Sequence, residues 1–152
     1  MGAAYFYHLT RRPLEAALPP LIERALAQGW RVAVRAADPD RIRQLDRDLW
    51  VADEASFLPH GVAGGPHDAD QPVLLTTDGA PANGAACLMG VDGAAISADE
   101  VAVLERVCIL FDGNDPQAVD AARSQWRSLT GAGCAAQYWS EESGRWEKKA
   151  EA

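Results

Sequence analysis

No apolar run in this chain approaches the roughly eighteen residues that a membrane-spanning helix requires, and the N-terminus lacks the charged-then-apolar pattern of a secretory signal. A cytoplasmic protein with no membrane partner is expected. Cysteine is sparse: Cys87, Cys108 and Cys134 are odd in number and widely spaced in apolar runs. That spacing argues against a disulfide framework and suits small core residues in a reducing compartment. Histidine is equally rare, and His8, His60 and His67 have neither i,i+4 spacing nor neighbouring cysteines. No metal site and no cofactor are expected. Positive charge is short as well, with 14 Lys and Arg against 22 Asp and Glu and a net charge of −8. A broad grip on nucleic acid depends on neutralising phosphates, so direct DNA binding is not expected.

Catalytic signatures are missing too. The first strand is followed by His8-Leu9-Thr10-Arg11-Arg12-Pro13, which contains none of the glycine that a phosphate cradle needs. Gly61, Gly64 and Gly65 lie in an irregular stretch with no helix after them. No serine or cysteine stands beside a histidine in a nucleophile elbow. What remains for an enzyme is Asp38 and Asp112 at strand ends, the basis of an alternative reading as a nucleotide-binding or hydrolytic α/β enzyme. Asp38 before Pro39 also reads as a helix cap, and Asp112 with Asp115 as turn and cap residues.

Against these gaps stands a regular alternation. At 152 residues the chain fits one domain, spanning about 1–150, that buries about two thirds of its unfolded surface. Ala3 to Leu9 is an aromatic-rich strand, and Leu14, Leu18, Leu21, Ile22, Ala25 and Leu26 then share one helical side. Pro19-Pro20 predicts a kink or a restart in that helix. Trp30 to Ala36 is a second strand, followed by a helix faced by Ile42, Leu45 and Leu49. Gly61 to Gln71 reads as loop, Pro72 to Thr77 as strand, Asp78 to Gly84 as turn, Ala86 to Val91 as strand and Ala98 to Leu104 as a short helix. Val107 to Phe111 is a continuous apolar run, as in a strand buried on both faces. Pro116 opens a helix with Val119, Ala122, Trp126 and Leu129 on one face, and Ala135 to Trp139 is a further strand. Strands alternating with helices imply an α/β fold with a mostly parallel sheet.

Three features carry a surplus over folding needs. Arg123 and Arg127 sit one turn apart beside Trp126, with no acid at i±4 to either. They are either solvated neighbours of a core tryptophan or a seat for an anion attached to an apolar group. Trp50 and the island Phe57-Leu58-Pro59-His60 adjoin a loop with little to bury them, which suits core packing or a protein interface equally. Gly144 to Lys149 sets Trp146 beside basic residues and reads as an edge strand.

In order along the chain come Phe6-Tyr7-His8-Leu9, Gly29-Trp30-Arg31-Val32, Leu45-Asp46, Leu49-Trp50 and Ser56-Phe57-Leu58-Pro59-His60. They are followed by Leu110-Phe111-Asp112-Gly113-Asn114-Asp115, Ala122-Arg123, Trp126-Arg127 and Gly144-Arg145-Trp146. This series resembles the chi subunit family of bacterial DNA polymerase III, in its alphaproteobacterial form. The resemblance implies a three-layer α/β/α fold, no catalysis of its own, and no cofactor. It implies two partners: the psi subunit, through which the clamp loader is reached, and the acidic, Phe-ended C-terminal tail of single-stranded DNA-binding protein. By position, Trp50, Phe57, Pro59 and His60 match the family's psi-facing residues, and Arg123, Trp126 and Arg127 its tail-binding helix. Two departures are visible: Val119 stands where many enterobacterial relatives carry lysine, and Asp112 stands where an apolar pocket residue is expected.

Overall fold

The computed structural model describes residues 2–51, 60–77 and 82–152. Phe57, Leu58 and Pro59 lie outside the described residues, as do positions 78–81 of the expected turn. The chain runs β1 (Ala3–Leu9), α1 (Leu14–Ala27), β2 (Val32–Arg35), α2 (Pro39–Val51), β3 (Gly61–Val62) and β4 (Val73–Thr76). It continues with β5 (Cys87–Val91), α3 (Ala98–Val103), β6 (Arg106–Asp112), α4 (Pro116–Gly131), β7 (Ala135–Ser140) and β8 (Glu147–Glu151). Among the described residues these strands form one eight-stranded sheet in the order β3-β4-β2-β5-β6-β1-β7-β8. Every neighbouring pair is parallel except β7 with β8.

The helices start where capping chemistry predicts. The Asp38 carboxylate accepts from the Asp40 amide at 2.9 Å, with Pro39 at the first helical position. Asp115 does the same for Gln117 at 3.0 Å, ahead of Pro116. Ser97 and Glu100 close a reciprocal capping box on α3. Gly133, at φ 91°, turns the chain after α4 in a backbone region that suits glycine.

Two expectations are corrected. α1 runs unbroken through Pro19 and Pro20, so of the kink or restart expected there the restart does not occur. An interior proline costs about 3 kcal/mol, but Leu14, Leu18, Leu21 and Ile22 are all buried on its sheet-facing side, and each contributes about 1.5–3 kcal/mol. The stretch Gly61 to Gln71 is not wholly loop, because Gly61–Val62 adds a parallel edge strand to β4 and 68–70 form a 3-10 turn. A two-residue strand is too short for any sequence period to announce.

The sheet separates two cores, as side chains alternate along each strand. On β6, Cys108 and Leu110 join α1 and α2 on one face. Val107, Ile109 and Phe111 join α3 and α4 on the other. The result is a three-layer α/β/α domain. β6, α4 and β7 form the expected parallel crossover, but β1 lies between the two strands. α4 therefore rides over β1, and α1 crosses β6 and β5 on the opposite face.

Candidate functional site: a basic, aromatic groove on α4

The inward side of α4 is fixed by Ala122 and Leu129, both buried, with Val119 and Trp126 half-buried beside them. Trp126 meets Phe6 of β1 edge-on at 5.3 Å and Tyr138 of β7 at 6.2 Å. Such aromatic pairs contribute about 0.5–1.5 kcal/mol each beyond burial. Tyr138 in turn contacts the His8 ring, and its hydroxyl lies 3.0 Å from His8 Nδ1. Burial pushes the Tyr138 phenol up from its ordinary pKa, with the nearby Arg123 charge pulling the other way. It is held as a neutral hydroxyl at physiological pH.

Along the outer edge of this aromatic stack runs a groove of about 410 Å³, lined by Arg123, Trp126, Arg127, Tyr138 and Ala150. The structure thus brings together the three α4 residues singled out in the sequence. It adds Tyr138 and Ala150, which sequence reasoning missed because they come from β7 and β8 and pair with each other across the antiparallel edge. Among the described residues no carboxylate lines the groove. Arg127 donates to Ser124 Oγ at 3.4 Å, and neither arginine forms an ion pair with a described residue. Several basic side chains elsewhere do have such partners: Lys148 pairs with Glu151, Lys149 with Glu147, and Arg12 with Glu141. Val119 packs against the α3–α4 core. Asp112 does not line this groove; its carboxylate accepts from the Asn114 amide at 2.9 Å.

At the other end of the sheet, Trp50 is 51% exposed. His60 lies beneath it, with ring centroids 4.6 Å apart and a fully covered imidazole whose Nε2 is 3.1 Å from Asp46 Oδ1. His60 therefore seats Trp50 rather than presenting itself at the surface.

The remaining candidates are occupied by local structure. β1 and β6 are neighbours whose onward connections leave on opposite faces, the crevice where α/β proteins place ligands. A cleft of about 420 Å³ is present there, lined in part by Arg11, Arg12, Asp112 and Asn114. The backbone N–H groups of Arg11 and Arg12, which would face a phosphate, instead donate to Glu141 Oε1 at 3.2 Å each. Glu141 is only 1% exposed, so an internal carboxylate holds the anion seat. The glycine-rich stretch is filled in the same way, since Asp68 accepts from the amides of Gly64 and Gly65 at 2.8 and 3.0 Å. Asp38 and Asp112 are the cap and turn residues described above. Among the described residues no three His, Cys, Asp or Glu side chains cluster for a metal ion, and no helix is long and apolar enough to cross a membrane.

Fold and site together define a doubly wound α/β protein with a cationic, aromatic-walled groove on an outer helix. The chain belongs to the family described as DNA polymerase III chi subunit, HolC, whose model matches residues 1–137. It is similar to the probable DNA polymerase III subunit chi of Rickettsia prowazekii (strain Madrid E), with 24% identity over 111 residues that cover 70% of this chain and 67% of the relative. The family places the chain in DNA replication as a polymerase III subunit.

Proposed function

We propose that this chain is a non-catalytic accessory subunit of the DNA polymerase III holoenzyme. It holds the acidic C-terminal tail of single-stranded DNA-binding protein in the α4 groove, and so links the clamp loader to coated single strands. The observation that carries this reading is the pair of arginines flanking Trp126 at a groove where, among the described residues, they have no ion-pair partner and no carboxylate forms part of the lining. The tail's carboxylates meet Arg123 and Arg127, while its terminal phenylalanine ring lies against Trp126 and Tyr138. Capture of this kind weakens with salt, because both cations are exposed. A fluorescence or calorimetric titration with a short peptide ending in Asp-Asp-Phe tests it. Arg123→Ala/Arg127→Glu is expected to lose at least about ten-fold in affinity, equivalent to about 1.4 kcal/mol. If the double variant binds the peptide as tightly as the parent, the assignment is wrong.

The opposite end of the molecule is proposed as the surface for the psi subunit or another clamp-loader partner. Trp50 is its anchor, with His60 as the support on which the Trp50 ring rests; Phe57 and Pro59 are assigned to the same surface by the family resemblance alone. Half-exposed tryptophan is the residue type most enriched at interface centres. Trp50→Ala is expected to abolish co-purification with psi while leaving the tail peptide's affinity unchanged.

A further inference from the structure

On the face of the sheet opposite α4, α1 covers β5 and β6, but among the described residues no helix crosses β7 and β8. The strip left beside α1 holds a cavity of about 200 Å³. Its walls are aromatic: Tyr5 and Tyr7 of β1, Trp30 before β2, Trp139 of β7 and Trp146 before β8. Tyr7 meets Trp146 edge-on at 5.1 Å, and Tyr5 faces Trp139 at 6.5 Å. Met89, Cys87 and Cys108 lie at its inner end.

Within this apolar wall sits a cation. The Arg106 guanidinium lies over the Tyr5 ring, 3.9 Å from its centroid, and 5.3 Å from that of Trp30. It forms no ion pair with a described residue, and its buried Nε has no hydrogen-bond partner. Arg24, from the last turn of α1, also reaches the cavity, and no Asp or Glu among the described residues lines it. Both arginine charges act on the Tyr7 phenol, yet burial dominates and pushes it far up, so Tyr7 stays a neutral hydroxyl. Contact with the Tyr5 and Trp30 rings engages the guanidinium's π face but leaves its edge donors unmatched, and those donors suit a planar carboxylate.

We infer that this cavity is a small-molecule site for a compact aryl carboxylate, whose ring stands among Tyr7, Trp139 and Trp146 while its carboxylate meets Arg106 and Arg24. The size fits: cavities of about 150 Å³ take up benzene, so about 200 Å³ accommodates a ring with a short acidic chain. The site lies on the opposite face of the sheet from the α4 groove and does not depend on the function proposed for it.

The chain carries its own reporter, because Met89 is one of only two methionines in the sequence and lines the cavity. Full-length protein labelled with ¹³C at the methionine methyls is titrated with 3-phenylpropionate and, separately, with the neutral 3-phenylpropanamide. The acid is expected to shift the Met89 methyl resonance saturably, and the amide to bind at least about ten-fold more weakly. Arg106→Gln is expected to lose binding by a similar factor, and Arg127→Glu to leave it unchanged. Arg106 also packs against Tyr5, so that variant can lose stability; the acid–amide comparison decides the matter on the unaltered protein. A Met89 resonance that does not move, equal binding of acid and amide, a response abolished by Arg127→Glu, or a response given only by a peptide ending in phenylalanine would each overturn the inference.

Discussion

Replacing Gly113 by alanine should disturb both the fold and the α4 groove, through one side chain. Gly113 lies in the turn from β6 into α4, and a Cβ there would come within 1.9 Å of His8 Cδ2 and 2.0 Å of Nε2. Contacts of that kind do not fall below 3.0 Å in practice, so the imidazole must move by more than about 1 Å, in a core that resists even single-methylene changes. It has little freedom to do so: the ring stacks on Phe111 with centroids 5.1 Å apart, and its Nδ1 faces the Tyr138 hydroxyl at 3.0 Å. Nor can the turn retreat, because the Gly113 amide donates to the Leu9 carbonyl at 2.7 Å. Overpacking costs about 1–3 kcal/mol, and a lost hydrogen bond adds about 0.5–1.5 kcal/mol. Together they predict a destabilisation of about 2–4 kcal/mol in urea unfolding. Gly131→Ala is the control: nothing lies within 4 Å of its added Cβ, so a gain of about 0.4–1 kcal/mol is expected. Because Tyr138 lines the groove, Gly113→Ala should also weaken binding of the tail peptide. A Gly113→Ala protein within about 0.5 kcal/mol of the parent would refute the packing argument. A destabilised variant with unchanged peptide affinity would refute the coupling to the groove.

Other substitutions probe the frame around the site. Arg35, almost fully buried, donates to both oxygens of Glu100 at 3.0 and 2.6 Å, and this pairing holds the Glu100 carboxyl below its ordinary value of 4.5. A carboxylate lowered on folding contributes stability above its unfolded pKa and loses it as pH falls through the folded one. Glu100→Gln should therefore cost about 3 kcal/mol at neutral pH, with the difference from the parent in thermal melts shrinking below a pH of about 4.5. Glu141→Ala leaves the Arg11 and Arg12 amides without their acceptor and should cost about 2–3 kcal/mol in chemical denaturation. Raising ionic strength from about 0.05 to 0.5 M should weaken the tail peptide steadily, as the Debye length shrinks; affinity independent of salt would count against electrostatic capture by Arg123 and Arg127.

Local chemistry made much of this molecule legible in its sequence. Asp38-Pro39 and Asp115-Pro116 marked helix starts because capping and proline geometry act within three residues. The apolar run Val107 to Phe111 announced a strand covered on both sides, and the spacing of Val119, Ala122, Trp126 and Leu129 announced which side of α4 turns inward. That spacing also left Arg123 and Arg127 on the rim, where the structure has them. What the sequence could not supply was the company these residues keep. Tyr138 and Ala150 reach the α4 groove only because β1 is inserted between β6 and β7 and β8 folds back antiparallel. Glu141 occupies the strand-end anion seat from a position 130 residues after Arg11 in the chain. Nothing local signals that a carboxylate so remote will be buried against those amides. The same holds for Arg106, which is one more basic residue at a strand start until the sheet sets the Tyr5 and Trp30 rings against it. Periodicity and capping are properties of neighbours in sequence; pockets and ion pairs depend on strand order, which only the assembled sheet decides.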